Sequence, residues 1–283
     1  MSSTPRLQSL TGKLAIITGA SRGIGAAIAQ NLASKGCDLI LNHSSAYSAG
    51  DCQSVCSDLL TVYPQLSIRV VCADVGTVTG PRELIAAAGG KQIDILINNA
   101  GTSGNQYLAQ VTPEEFERQY NVNVRGPLLL VQAALPFLPH DRSGRIVNTS
   151  SVSSSMGLKA QSVYGGTKAA LEAMTRTWAR ELAERATVNA INPGPVETRM
   201  YLGTSDEFQM QIKPLLEMTP LAQLSEAEKK GPYKDRAEFF EKHGGRWGKP
   251  EEVAGIVGML CSAEAGYCTG QVICANGGMV MMR

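Results

Sequence analysis

Three side chains in the stretch SVSSSMGLKAQSVYGGTK, residues 151–168, could act together on one carbon–oxygen bond: the Ser151 hydroxyl, the Tyr164 phenol and the Lys168 ammonium. A ketone that accepts hydride gathers negative charge on its oxygen, and that charge needs a proton and a second hydrogen-bond donor. Tyr164 suits the first task and Ser151 the second. A free phenol has a pKa near ~10, too high to cycle easily at neutral pH. A cation at roughly 5 Å, screened by an effective dielectric of about 20, contributes on the order of 3 kcal/mol, or about two pKa units. Lys168 is placed to be that cation, because residues four apart share a face of a helix. The three residue types are common, so the meaning of the pattern depends on the elements around it.

GRIVNTSS, residues 144–151, reads as a strand that delivers Ser151, and residues 162–185 read as the helix carrying Tyr164 and Lys168. A turn between them must fold the serine back over the helix. The same alternation runs along the chain, with apolar strand-like runs at 13–18, 37–42, 67–74, 93–101, 187–194 and 270–278. Helical patterns separate them at 24–36, 46–63, 77–88 and from 113 to about 138, the last opened by Thr112 as N-cap, Pro113 and two glutamates. Pro250 opens another before the final strand. Strands that alternate with helices in this way predict an α/β fold, a doubly wound parallel sheet of about seven strands with helices on both faces. No linker or fixed-period repeat interrupts residues 1–283, so one domain is expected, with 1–11 as a polar tail.

The first turn, TGASRGIG, carries Gly19, Ser21, Arg22, Gly23, Ile24 and Gly25 between a strand and a helix. Glycines at these points permit a tight turn and a close backbone approach to a pyrophosphate, with the helix N-terminus facing the anion. In its strand–turn–helix context the motif predicts a Rossmann-type dinucleotide site. A site selective for NAD(H) usually has an acidic residue at the end of the second strand. Here that strand ends in Asn42, His43, Ser44 and Ser45, all neutral, and Arg22 can point towards the same place. Hydroxyls and a guanidinium suit a 2′-phosphate, so NADP(H) is favoured over NAD(H).

In NVNVRGPLLL, Pro127 lies four residues after Asn123 and cannot donate to the Asn123 carbonyl. The helix is therefore expected to kink there, leaving that carbonyl to hold a water linked to Lys168. Between 197 and 245 the alternation fails; Ser225-Glu-Ala-Glu and Asp235-Arg-Ala-Glu resemble capping boxes, which predicts two short helices. A net charge of +1 gives no footprint for nucleic acid or an anionic membrane. The longest apolar segment, 127–138, is too short to span a bilayer, and residues 1–10 have no signal-peptide core, so a cytoplasmic location is expected. The seven scattered cysteines read as reduced thiols, and Cys52 and Cys56 have helical spacing but no partner cluster, so no metal site is expected.

Together TGASRGIG, Asp74-Val75, NNAG at 98–101, Asn123, Ser151 with Tyr164 and Lys168, NPGPVET at 192–198 and GRWGKPEEVA resemble the short-chain dehydrogenase/reductase family in its classical single-domain form, from about 13 to 278. The resemblance implies a catalytic tetrad of Asn123, Ser151, Tyr164 and Lys168. It also implies that Asp74 and Val75 flank the adenine, that Asn99, Ala100 and Gly101 support the cofactor, and that Pro193, Gly194, Val196 and Thr198 lie beside the nicotinamide. Three departures stand out: a shortened RATVN turn, Asn276 in place of the usual Asp, and an extended segment before GRWGKP. In relatives that segment covers the substrate, so 197–246 is expected to be an enlarged lid.

The expected activity is NADPH-dependent reduction of a ketone in a mostly apolar small molecule. Arg142 and Arg185 fall where related 3-oxoacyl-carrier-protein reductases place docking arginines, which makes an acyl carrier protein a candidate partner. The alternatives are an NAD(P)+-dependent alcohol dehydrogenase and a non-redox cofactor-binding sensor or scaffold. Apolar residues beyond one stripe in LLLVQAALPFL and ALEAMTRTWA predict a further buried face, so a homotetramer is expected first and a dimer second.

Overall fold

A computed structural model describes residues 10–281, so most of the expected 1–11 tail lies outside the described residues. Seven parallel strands form one sheet in the order β3-β2-β1-β4-β5-β6-β7. They are β1 (Leu14–Ile17), β2 (Asp38–His43), β3 (Ile68–Cys72), β4 (Ile95–Asn98), β5 (Gly144–Thr149), β6 (Ala186–Pro193) and β7 (Val272–Ala275). The central strands bury side chains on both faces, which is why they read as unbroken apolar runs. On one face α1 (Gly23–Ser34), α2 (Ala49–Val62) and a C-terminal helix, Pro250–Leu260, enclose a core of Ile28, Leu32, Cys52 and Val257. On the other, α3 (Gly80–Ala86) and the helices at Gly126–Ala134 and Ser162–Glu181 enclose Leu84, Leu130, Leu171 and Trp178.

The long helix expected from 113 is broken into three parts. Thr112 caps α4 (Pro113–Tyr120) by accepting from the Glu115 N–H at 3.2 Å. A π-helical turn follows at Asn121–Arg125, then α5 (Gly126–Ala134), where the Gly126 N–H donates to the carbonyl of Asn121. This is the form the expected kink takes: Pro127 has no N–H to continue the α ladder, and the π turn absorbs the mismatch. Asn123 is thereby placed at the centre of the fold, fully buried.

After β5 a short α6 (Ser153–Met156) turns the chain into α7 (Ser162–Glu181), which ends four residues before the expected boundary. The shortened RATVN turn then closes with the Arg185 N–H on the Leu182 carbonyl at 2.8 Å. The segment from 197 to 246 holds four helices, not the two expected: α8 (Arg199–Leu202), α9 (Asp206–Glu217), α10 (Glu226–Lys230) and α11 (Ala237–Lys242), before α12 (Pro250–Leu260). Ser225 and Glu228 do form a reciprocal capping box. Asp235 does not, because residues 234–236 form a 3-10 turn and α11 starts after Arg236 with no side-chain cap. Helices α9 and α11 and the turns around them form a small core of Phe208, Ile212, Leu216, Tyr233, Phe240 and Trp247, with Tyr201 of α8 packed against it. Phe240 is its most enclosed member at 1% exposure, so Phe240→Ala is expected to cost about 3–5 kcal/mol. Calorimetry of the purified variant checks this, and an unchanged melting profile would show that the cluster contributes little.

Candidate active site

The cleft lies at the C-terminal ends of the strands, where β1 is flanked by β2 on one side and β4 on the other, the switch point at which open parallel sheets bind ligands. Its volume is about 760 Å³, and it runs from the glycine turn to Tyr164. The turn is built to leave backbone exposed. Gly19 adopts φ +62°, and a Cβ on Gly25 would land on the Gly19 carbonyl oxygen. No side chain caps the N-terminus of α1, so its first N–H groups are left for a ligand. Thr18 joins this turn to the next loop: its hydroxyl accepts from the N–H groups of Asn99 and Ala100, each at 2.9 Å, while Asn99 Nδ2 donates to the Thr18 carbonyl at 2.9 Å. These features fit a dinucleotide: an uncapped helix N-terminus for phosphate and a groove leading from it to three polar side chains.

Of the residues expected at the site, Gly19, Ser21, Arg22, Gly23, Ile24, Gly25, Asn42, His43, Ser44, Asp74, Val75, Asn99, Ala100, Gly101, Ser151, Tyr164, Lys168, Pro193, Gly194, Val196 and Thr198 all line the cleft. Ser45 and Asn123 do not. Ser45 turns its carbonyl to His43 Nδ1 at 2.9 Å, and Ser48 reaches the cleft in its place. Asn42 lines the cleft, but its amide nitrogen donates to the carbonyls of His43, Val71 and Ala73, so its side chain ties β2 to β3. The strand end carries no carboxylate, as expected, while Arg22 is paired with Asp51 of α2, which accepts it at 3.3 Å and Arg199 at 3.1 Å.

At the far end Tyr164 and Lys168 project from α7. Lys168 Nζ lies 5.6 Å from the Tyr164 ring centroid and donates to the Thr149 carbonyl at 2.7 Å. The Ser151 hydroxyl lies near enough to the phenol to favour its ionised form, and it bonds the hydroxyl of Ser153 at 3.2 Å. Asn123 fixes this end from behind: its Oδ1 accepts the Thr102 N–H at 2.9 Å, and its Nδ2 donates to the Thr102 carbonyl at 2.8 Å and to Thr167 Oγ1 at 3.1 Å. Burial pushes the Tyr164 phenol up to about 12, with Ser151 opposing it. Burial pulls Lys168 down to about 8, against the attraction of Glu172. The two-unit lowering of the phenol expected from Lys168 is thus not what the protein alone provides. Both groups are desolvated, and the penalty on a buried phenolate outweighs the help of an ammonium already bonded to Thr149.

The sequence model of the short chain dehydrogenase family matches residues 13–207. The chain belongs to that family. Among its relatives are an L-xylulose reductase of Aspergillus niger, 48% identical over 96% of this chain and 98% of its own, and an L-xylo-3-hexulose reductase of Hypocrea jecorina, 45% identical over 95% and 97%. A blue fluorescent protein from a metagenomic library, solved in complex with NADPH, superposes with a TM-score of 0.81 at 30% identity, covering 96% of this chain and all of that one. As a short-chain dehydrogenase the protein is an NAD(P)(H)-dependent oxidoreductase of the CH–OH/C=O pair. Among the described residues no helix is long and apolar enough to cross a membrane. Cys52 and Cys56 are free thiols buried in the core.

Sequence reasoning missed the walls of the cleft beyond Tyr164. The lining there includes the polar Thr102, Ser103, Arg118 and Gln161 and the larger apolar or aromatic Leu158, Tyr201, Phe208 and Ile212, the last three from α8 and α9. Arg118 is oriented by Glu115, which accepts its Nε at 2.7 Å, and it bonds the Thr102 hydroxyl and the Ser103 carbonyl. The one available signal was Glu115-x-x-Arg118 in α4, a spacing that pairs side chains on a helix. Arg142 is exposed, whereas Arg185 donates to the carbonyls of Leu135, Leu138 and Pro139 and so closes the end of the preceding helical segment.

Proposed function

We propose that the protein is an NADPH-dependent reductase of a small polyhydroxylated ketone, with Tyr164 as general acid. The observation that carries the reading is the convergence of Ser151, Tyr164 and Lys168 at the end of a groove that begins at an uncapped, glycine-lined helix N-terminus. The bound cofactor supplies the hydride. The protein's part is proton transfer and alignment. The glycine turn and the N-terminus of α1 hold the pyrophosphate, and Arg22 with Ser44 meets the 2′-phosphate. Asp74 and Val75 flank the adenine, and Pro193, Gly194, Val196 and Thr198 seat the nicotinamide. Ser151 donates to the substrate oxygen, and Tyr164, protonated at neutral pH because its phenol is raised to about 12, gives that oxygen its proton.

Lys168 orients the transfer, and the Asn123 carbonyl, deprived by Pro127 of its α-helical donor, holds a water that resupplies the proton through Lys168. A crystal structure with that water between Asn123 and Lys168 supports the relay; the carbonyl bonded within its own helix removes it.

Two features favour a polyol-like substrate over the mostly apolar one expected from sequence. Arg118, Gln161, Thr102 and Ser103 bring donors and acceptors to the cleft lining, and the Aspergillus and Hypocrea relatives are reductases of keto sugars. Leu158, Tyr201, Phe208 and Ile212 in the same lining suit a carbon chain, so residues 197–246 act as the substrate cover of a single-domain enzyme. A carrier-protein thioester has less in its favour, since Arg185 is occupied by three carbonyls.

A panel of ketoses, apolar ketones and 3-oxoacyl thioesters, assayed by loss of NADPH and NADH absorbance, tests the reading. Consumption of NADPH with a ketose, and slower consumption of NADH, is the expected result. Turnover confined to thioesters overturns the substrate, and none with any carbonyl compound favours the sensor reading instead.

A further inference from the structure

Glu172 lies one helical turn beyond Lys168 on α7 and is 5% exposed, a buried carboxylate with no basic side chain hydrogen-bonded to it among the described residues. Its Oε1 accepts three neutral donors: Ser150 Oγ at 2.6 Å, Ser154 Oγ at 2.7 Å and Asn192 Nδ2 at 3.2 Å. These donors bracket Ser151. Ser150 precedes it, Ser154 follows it in α6, and Asn192 Nδ2 also donates to the Ser151 carbonyl at 3.0 Å. Behind them Asn276 Nδ2 reaches Asn192 Oδ1 at 3.4 Å, extending the chain of contacts to the end of β7. A buried carboxylate is costly unless its bonds are met, and here three neutral donors meet them.

We propose that Glu172 is a positioning residue for the proton transfer, one carboxylate oxygen that locks the Ser150–Ser154 turn and β6 onto α7 and so fixes Ser151 against Tyr164. The inference rests on the reading of Tyr164 as the acid. The same carboxylate stands one turn behind Lys168 and favours its charged form, opposing the desolvation that lowers it to about 8. Beside the ammonium lie the Thr149 carbonyl and Gly101, neither of which titrates; among the described residues the titratable groups that act on it are Tyr164 and Glu172 on its own helix. Glu172 therefore links two things the transfer needs, the place of the serine hydroxyl and the charge of the lysine.

Glu172→Gln keeps the size of the side chain and removes the charge. It is expected to lower kcat for ketone reduction by about tenfold to a hundredfold, the loss typical of one charged hydrogen-bonded group, with the Kd for NADPH unchanged. NMR of protein labelled at the lysine ε-carbon, with the Lys168 signal assigned through Lys168→Met, reads the second effect without substrate or cofactor. The Lys168 titration should move to lower pH in Glu172→Gln and return in Glu172→Asp. A folded Glu172→Gln protein with wild-type kcat and an unmoved Lys168 titration overturns the proposal. Should that variant not fold, Ser154→Ala decides: it removes one donor and leaves the carboxylate, and a severalfold fall in kcat at unchanged NADPH affinity supports the role, whereas wild-type kcat refutes it. A wild-type protein that reduces no ketone would strike the function itself, while the lysine titration would still report on Glu172.

Discussion

Tyr164→Phe is expected to lower NADPH-dependent ketone reduction by about a thousandfold or more while leaving the affinity for NADPH within about twofold. The substitution deletes one oxygen and keeps the ring, which is enclosed in α7 at 9% exposure and carries Lys168 Nζ 5.6 Å from its centroid. Packing and the cofactor groove should therefore survive. What is lost is the proton. With its phenol raised to about 12, Tyr164 is protonated across the neutral range, so under the proposed mechanism it rests as the acid in the reductive direction. Ser151 cannot take over, because its hydroxyl is shared with Ser153 and serves as a donor to charge, not as a source of protons near neutral pH. Single-turnover loss of NADPH absorbance, with binding followed by cofactor fluorescence, separates the two quantities. Turnover that survives in the variant would place the acid elsewhere.

What the sequence made legible was what local chemistry decides. Tyr164 and Lys168 could be placed together because four residues make one helical turn, and the break at Asn123 could be foreseen because Pro127 lacks an N–H. The strands announced themselves because a parallel sheet buried on both faces demands unbroken apolar runs. Three things were hidden. Helix α9 contains Pro214 and reads as polar, yet Ser205 caps it by accepting from Phe208, and Phe208, Ile212 and Leu216 recur at helical spacing to face the small core. Asp235 looked like a cap, but residues 234–236 form a 3-10 turn and the helix starts at Ala237, with the Arg236 guanidinium 4.5 Å from the Phe240 ring centroid. Asp51 and Arg199 meet across 148 residues, and no local pattern encodes that encounter. The cleft lining beyond Tyr164 belongs to this last kind, which is why the reaction class was readable and the kind of ketone was not.

Lys168→Arg provides the sharpest test of how the site uses charge, because it alters when the cation loses its proton more than whether one is present. In the wild-type protein burial lowers Lys168 to about 8, and kcat/KM reports the groups of the free enzyme. Under the proposed mechanism the charged lysine is the competent form, so kcat/KM for reduction should be level below pH about 8 and fall about tenfold per unit above it. Arginine holds its proton to beyond about pH 12, so in Lys168→Arg that alkaline fall should disappear from the measurable range. Its planar fork cannot reproduce the single 2.7 Å bond from Nζ to the Thr149 carbonyl, so activity at neutral pH should also drop. Lys168→Met, which has no cation at any pH, should lose about a hundredfold to ten-thousandfold and show no limb at all. The comparison separates charge from position: a limb near pH 8 that persists in the arginine variant would assign the titration to another group, and full activity in the methionine variant would leave Tyr164 working without a cation.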